Sequence, residues 1–346
     1  MKRQTEKVLS LALQGGGAHG AFTWGVLDRL LEEERIRIQG ISGTSAGAMN
    51  AVMLAHGLTG GGPDAARRAL AEFWEQVSTA GRLSPVQPTL LDALAEKHGL
   101  EWSPGFRASE ALSRVLSPYD VNPLNLNPLK EILLALVDFD RLQRDCSLQV
   151  FIAATQVRTG MLRIFQTAEL TVEVLLASAC LPRLHQAVEI EGEAYWDGGY
   201  TANPPLFPLI WHCRHRDIVM VLLGPLQRRA VPRSASDIRS RESELMFMAA
   251  FLREIGAIAR AKEELGKELF TLGRLERRLK RANIHLIEAE DLLSGLSPSS
   301  RLNTRLDFLT MLRDHGRAQT ERWLKANFSR LGAGSSVNLD DLFRSS

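Results

Sequence analysis

Ser45 lies in Gly43-Thr44-Ser45-Ala46-Gly47, a G-x-S-x-G arrangement. A serine hydroxyl is a poor nucleophile until a neighbouring group takes its proton. In this pattern the serine sits on a strained strand-to-helix turn, where its neighbours must be small so that strand and helix can meet closely. Gly43, Ala46 and Gly47 meet that need. The apolar stretch "RIRIQGIS" runs into the turn and the Ala-rich "AGAMNAVMLAHG" runs out of it. The chemistry to expect is attack of Ser45 on an acyl carbonyl; the bland alternative is a glycine-rich turn carrying an incidental serine.

A second glycine cluster, "GGGAHG" (15–20), follows the apolar run "KVLSLALQ". As G-x-G-x-x-G between strand and helix it could hold a dinucleotide. That site wants a carboxylate at the end of the second strand for the ribose, and Ile41-Ser42-Gly43 offers none. The other reading is an oxyanion hole: backbone N–H groups of Gly15, Gly16, Gly17 and Ala18, free of bulky side chains, aimed at a developing negative oxygen. A serine turn on the next strand–turn–helix unit favours this second reading.

The proton acceptor is less obvious. Of eight histidines, only His19 stands in a glycine-flanked, strand-end setting. His212 and His215 bracket Cys213, but no second ligand cluster accompanies them, so a polar surface stretch is the better reading than a metal site. Asp197 ends an apolar run in "YWDGGYTANPP". Gly198 and Gly199 let the chain turn sharply there and approach another loop. A D-G-G turn is also common surface punctuation.

These loops need a scaffold. Strand patterns at 7–14 and 35–42 alternate with helical patterns at 21–34 and 46–57, which points to an α/β fold with a largely parallel sheet. From about residue 78 to 145 the pattern changes to helical pieces between Pro- and Asn-rich turns, a helical insertion. Strands resume at "SLQVFIAATQV" and "LRIFQ". "TVEVLLASAC" reads as a helix, "AVEIEGEAYWDGG" as a hairpin turning near Gly192, and "DIVMVLLG" as a buried strand. The expected division is a catalytic domain over 1–227 and a mostly helical region over 228–346, with one strand candidate at "IHLIEA".

The chain of 346 residues is 45% hydrophobic and 24% charged with a net charge of +2. That balance gives no reason to expect nucleic acid as a partner. Three scattered cysteines form no C-x-x-C pair and suggest a reducing compartment. The first apolar run is too short for a signal core, and no stretch approaches the ~20 apolar residues of a membrane span. A cytoplasmic protein is expected, with peripheral membrane contact still open to it.

Taken in order, "GGGAHG", "GTSAG" and "DGG", with the linking pieces "ASACLP" and "GGYTANPP", resemble the patatin-like phospholipase family over roughly residues 8–226. The resemblance implies a modified α/β-hydrolase fold and serine acyl hydrolysis by a Ser–Asp dyad without histidine. Ser45 would be the nucleophile, Asp197 the proton acceptor, and the backbone of Gly15, Gly16, Gly17 and Ala18 the oxyanion hole. No metal or other cofactor is implied. The substrate would be a lipid or another long-chain acyl ester. A thioesterase or polyester depolymerase of the same fold, or a catalytically idle lipid-binding scaffold, are the rival readings. The chain departs from the family at the fifth position of the glycine loop, where Arg or Lys is usual and His19 stands here. His19 is therefore expected to face an anionic head group and to lose its charge as pH rises through about 6.5.

Two stretches could meet lipid. The leucine-rich insertion could form a lid or an acyl groove, though leucines at helical spacing more often build a core. "LGRLERRLKRA" places Leu272, Leu275 and Leu279 along one side of a helix and Arg274, Arg277, Arg278 and Arg281 on the other. That pattern suits an anionic surface as well as simple packing on the protein's own body.

Overall fold

The computed structural model describes residues 6–82, 99–100, 103–224, 231–268, 273–293 and 295–339. The helix expected at "PTLLDALAEKHGL" falls almost wholly outside these residues, as do His98 and Leu272.

Eight strands form one mixed sheet: β1 (Lys7–Leu13), β2 (Ile36–Gly43), β3 (Gln149–Gln156), β4 (Leu162–Gln166), β5 (Val188–Ile190), β6 (Glu193–Asp197), β7 (Asp217–Leu222) and β8 (Asn283–Glu288). The order is β5-β6-β3-β2-β1-β7-β8, with β4 also on β3. The run from β3 to β8 is parallel, while β4, β5 and β6 pair antiparallel. This is the mostly parallel α/β sheet the alternating patterns predict.

The helices are α1 (Gly20–Leu31), α2 (Ala46–Gly81), α3 (Pro104–Leu112), α4 (Pro118–Val121), α5 (Pro128–Leu136), α6 (Phe139–Asp145), α7 (Val172–Ser178), α8 (Phe207–His212), α9 (Ala235–Lys267), α10 (Arg274–Arg281), α11 (Glu290–Leu293) and α12 (Leu306–Asn327). The helix expected to end near Gly57 runs on and breaks at Gly61-Gly62-Pro63, where Gly62 takes φ +74°. A second arm then carries Leu70, Phe73 and Trp74 into the core. Residues 103–145 of the expected insertion carry α3, α4, α5 and α6. Its helices α3, α4 and α5 start at Ser-Pro or Asn-Pro steps, where a capping side chain precedes a proline that needs no N–H partner.

Alternation along the strands sorts side chains to two cores. Leu9, Leu11 and Leu13 of β1 and Val219 and Val221 of β7 join Phe22, Met53, Phe308 and Leu312 on one face. Ile218, Met220 and Leu222 join Leu209, Phe251, Ile255 and Ile258 on the other. The boundary expected near residue 227 therefore separates stretches of sequence rather than packing units. Beyond it, β8 extends the same sheet beside β7, α12 packs on α1, and α9 covers the second face. The basic helix forms as α10, with Leu279 buried and Arg278 bonded to the Trp211 carbonyl oxygen. Among the described residues no helix is long and apolar enough to cross a membrane.

Candidate active site

The sheet brings Ser45 and Asp197 together through a shared edge. β2 pairs with β3 up to Gly43 opposite Ile152, and β6 pairs with β3 down to Asp197 opposite Ala154. β4 occupies the other edge of β3, across both of these contacts. Strands β2 and β6 therefore lie end to end along one edge of β3 and run toward each other. Their C-terminal ends stop two β3 residues apart, about 7 Å along the strand. Ser45 follows one end and Asp197 is the other.

Ser45 has φ 54° and ψ −122°, a conformation that costs a non-glycine residue about 1–3 kcal/mol. Neighbouring atoms hold it there. A side chain at Gly43 would come within 2.5 Å of the Gly47 carbonyl oxygen, and one at Gly47 would strike the Leu13 carbonyl. The Ser45 N–H donates to the Ser178 hydroxyl at 3.0 Å, and Thr44 Oγ1 donates to the Ala202 carbonyl at 2.7 Å. The Ser45 side chain lies at the N-terminus of α2, where the helix dipole favours negative charge.

Asp197 is 1% exposed. Its carboxylate accepts a hydrogen bond from the Gly199 N–H at 2.7 Å. Burial pushes its pKa up to about 7, against the lowering effect of that bond and of the nearby Ser45 hydroxyl. Its own backbone is pinned as well: the N–H donates to the Cys180 carbonyl at 2.8 Å, and Thr155 Oγ1 donates to its carbonyl at 2.8 Å. Gly198 is required because a side chain there would overlap the Ala153 carbonyl of β3. Among the described residues no histidine ring is bonded to Ser45.

The glycine loop lies against the serine turn. A Cβ at Gly15 would sit 2.6 Å from the Thr44 carbonyl oxygen and 2.8 Å from Ser45 Cβ. Gly17 takes φ +59°, and a side chain there would strike the Arg301 carbonyl. The four loop residues are not equivalent. The Gly15 N–H is committed to Asn203 Oδ1 at 2.7 Å, so Gly15 shapes the loop and donates to nothing else. Among the described residues no acceptor takes the N–H groups of Gly16, Gly17 and Ala18.

His19 is placed otherwise than expected. Its ring is buried, bonded through Nε2 to Ser300 Oγ at 2.7 Å and edge-on to Phe308. Burial, and then the charge of Arg301, lower its pKa to about 3. A neutral, inward-facing imidazole cannot greet an anionic head group near neutral pH. His212 stacks on Phe151.

Three contributors carry no signal in a local motif: Asn203, Ser178 and Cys180. They fall within "GGYTANPP" and "ASACLP", so only the resemblance of those pieces pointed to them. Beside Cys180 opens a cavity of about 390 Å³ lined by Tyr119, Lys130, Glu173, Leu176, His185 and Gln186, among others. The insertion forms its outer wall, tied down where Gln186 Nε2 donates to the Asn122 carbonyl and the Ala187 N–H donates to Tyr119.

No curated protein sequence matches the chain. Among solved structures it is similar to VipD from Legionella pneumophila, at 16% identity over 93% of this chain and 67% of that one, with a TM-score of 0.43. It is also similar to the ExoU–SpcU complex from the type III secretion system of Pseudomonas aeruginosa, at 17% identity over 98% of this chain and 74% of that one, with a TM-score of 0.33. A family model described as patatin-like phospholipase matches residues 11–210, a span that takes in the Ser45 turn and Asp197 and most of the sheet. The chain belongs to the patatin-like phospholipase family.

Proposed function

We propose that this lipid acyl hydrolase works through Ser45 as nucleophile and Asp197 as the only proton acceptor. The observation that carries the reading is the meeting of the Ser45 turn and Asp197 at two strand ends on one edge of β3, with the carboxylate held almost free of water. An ordinary aspartate is about 2.6 pKa units less basic than imidazole. Raised to about 7, Asp197 makes up that deficit and stays mostly ionised just above neutrality. Ser45 Oγ attacks the ester carbonyl and its proton passes to Asp197. The N–H groups of Gly16, Gly17 and Ala18 receive the negative oxygen. Collapse expels the alcohol, which takes the proton back from Asp197. Water, deprotonated by the same carboxylate, then releases the fatty acid and frees Ser45.

The insertion favours lipid presented in an aggregate. Leu124 and Leu126, 78% and 69% exposed, alternate with Asn125 and Asn127 on the cavity wall, and Val115 nearby is 83% exposed. These apolar side chains would rest on an acyl layer while the cavity admits one molecule.

The test is a fluorophosphonate probe and a substrate panel of phospholipid, neutral glyceride and acyl thioester. The parent should label and turn over lipid esters fastest, and Ser45→Ala should do neither. Asp197→Asn should fold and lose about 10²–10⁴ in kcat. An Asp197→Asn enzyme with the parent's rate would sink the reading; a panel won by the thioester would redirect the substrate class alone.

A further inference from the structure

Helix α9 lies outside residues 11–210, the span matched by the family model, yet it closes over the turn that carries Asp197. Gly199 shows how tightly. A Cβ added there would overlap the ring of Phe247 on α9, with Cε1 at 2.6 Å, while also standing 3.0 Å from Asp197 Oδ1. The aromatic ring and the carboxylate thus both lie against one glycine. Phe247 also packs on the ring of Tyr200 at 5.0 Å between centroids.

The contact is anchored along one face of the helix. Phe251, Ile255 and Ile258 are buried in the core against β7 and α8. Glu254, half-buried in the same stretch, accepts the N–H groups of Leu206 at 2.9 Å and Phe207 at 2.7 Å, at the start of α8. Residues 247, 251, 254, 255 and 258 follow helical spacing, so seating the anchor seats the ring.

We propose that Phe247 is a positioning residue for hydrolysis: α9 lays its ring over the Gly198–Tyr200 turn and keeps water from the Asp197 carboxylate, holding it basic. The inference rests on Asp197 being the proton acceptor. The groups around that carboxylate leave water exclusion as the lever. Ser45, just ahead of α2, is a neutral hydroxyl that favours its charged form. Cys180, after α7, is pushed up to about 12 and stays a neutral thiol. Tyr200 is raised by burial and stays neutral, with Arg183 acting on it. His19 in the glycine loop is neutral. On α9, Arg241 and Glu244 pair with each other at 3.2 Å, and Glu254 is turned to α8. None of these charges acts on Asp197, whose shift is set by burial against the Gly199 N–H and the Ser45 hydroxyl.

The experiment compares pH profiles of kcat/KM on a soluble medium-chain p-nitrophenyl ester, using the full chain with Phe247→Ala, Phe247→Leu and Asp197→Asn. The parent's activity should fall as pH drops through about 7, where Asp197 takes up a proton. Phe247→Ala should move that limb down by roughly one pH unit or more as water reaches the carboxylate. Its kcat at pH 8 should drop about threefold to tenfold with KM little changed. Phe247→Leu, smaller but apolar, should shift the limb less and keep most of the rate. A folded Phe247→Ala enzyme with the parent's limb overturns the inference. If Ala does not fold, a limb in Phe247→Leu no lower than the parent's does the same. An active Asp197→Asn enzyme would instead remove the underlying reading, whatever Phe247 does.

Discussion

At Asp197 activity and stability pull in opposite directions. Its pKa is raised from 3.8 to about 7 by burial, so the fold prefers the protonated form. The associated stability is complete below about pH 4 and is lost as pH rises through about 7, where the proposed dyad would become active. Asp197→Asn keeps an oxygen for the Gly199 N–H and removes the buried charge. The variant should melt higher than the parent at pH 8, by on the order of 2–4 kcal/mol, and the gap should close toward pH 4. Equal melting at pH 8 would mean the carboxylate is hydrated. His19 yields a prediction of opposite character. With a pKa near 3 it stays neutral across the working range. His19→Gln should leave the ratio of rates on anionic and neutral esters the same at about pH 6 and pH 8, measured on one enzyme preparation. The stretches around Ser45 and Asp197 stood out in the sequence because glycines flank each of them, and the resemblance gave Asp197 its expected role. The surroundings of His19 could not, because Ser300 and Arg301 arrive from the far end of the chain.

Among the elements, the α1–α12 crossing holds the glycine loop from behind, since α1 begins where that loop ends. The two helices meet backbone to backbone. A side chain at Gly25 would strike the Arg313 carbonyl, and one at Gly316 the Phe22 carbonyl. Gly316→Ala should cost about 1–3 kcal/mol, read as a lower Tm, and slow turnover by displacing the loop. The insertion offers a second prediction. Ser or Asp in place of Val115, Leu124 and Leu126 should slow hydrolysis of vesicle lipid several-fold while leaving a soluble ester untouched. Vesicle rates equal to the parent's would show that this face does not rest on lipid. All eight strands fall in runs the sequence marks as strands, with β1, β2, β6 and β7 stopping at or just before Gly, Ser or Asp. The second arm of α2 was not, since Gly60-Gly61-Gly62-Pro63 reads as an end and only the packing of Phe73 and Trp74 continues it. That α9 packs on the turn after Asp197 was equally hidden, because a contact between residues 199 and 247 leaves no mark on either stretch alone.

For the molecule as a whole, the region after residue 227 completes what precedes it. Every residue of β7 is buried, with β8 along its outer edge and α9 over one face. A chain ending at 227 should lose its cooperative unfolding transition and aggregate through the bared edge of β7. A soluble, cooperatively melting truncation would contradict this. The meeting of β2 and β6 on β3 carries one further implication. The hydroxyl and the carboxylate are spaced by a third strand that acts as a ruler, and the insertion ahead of that strand has no part in setting the gap. A backbone severed within the insertion should still cleave ester, as two fragments clasped by the sheet, until denaturant separates them.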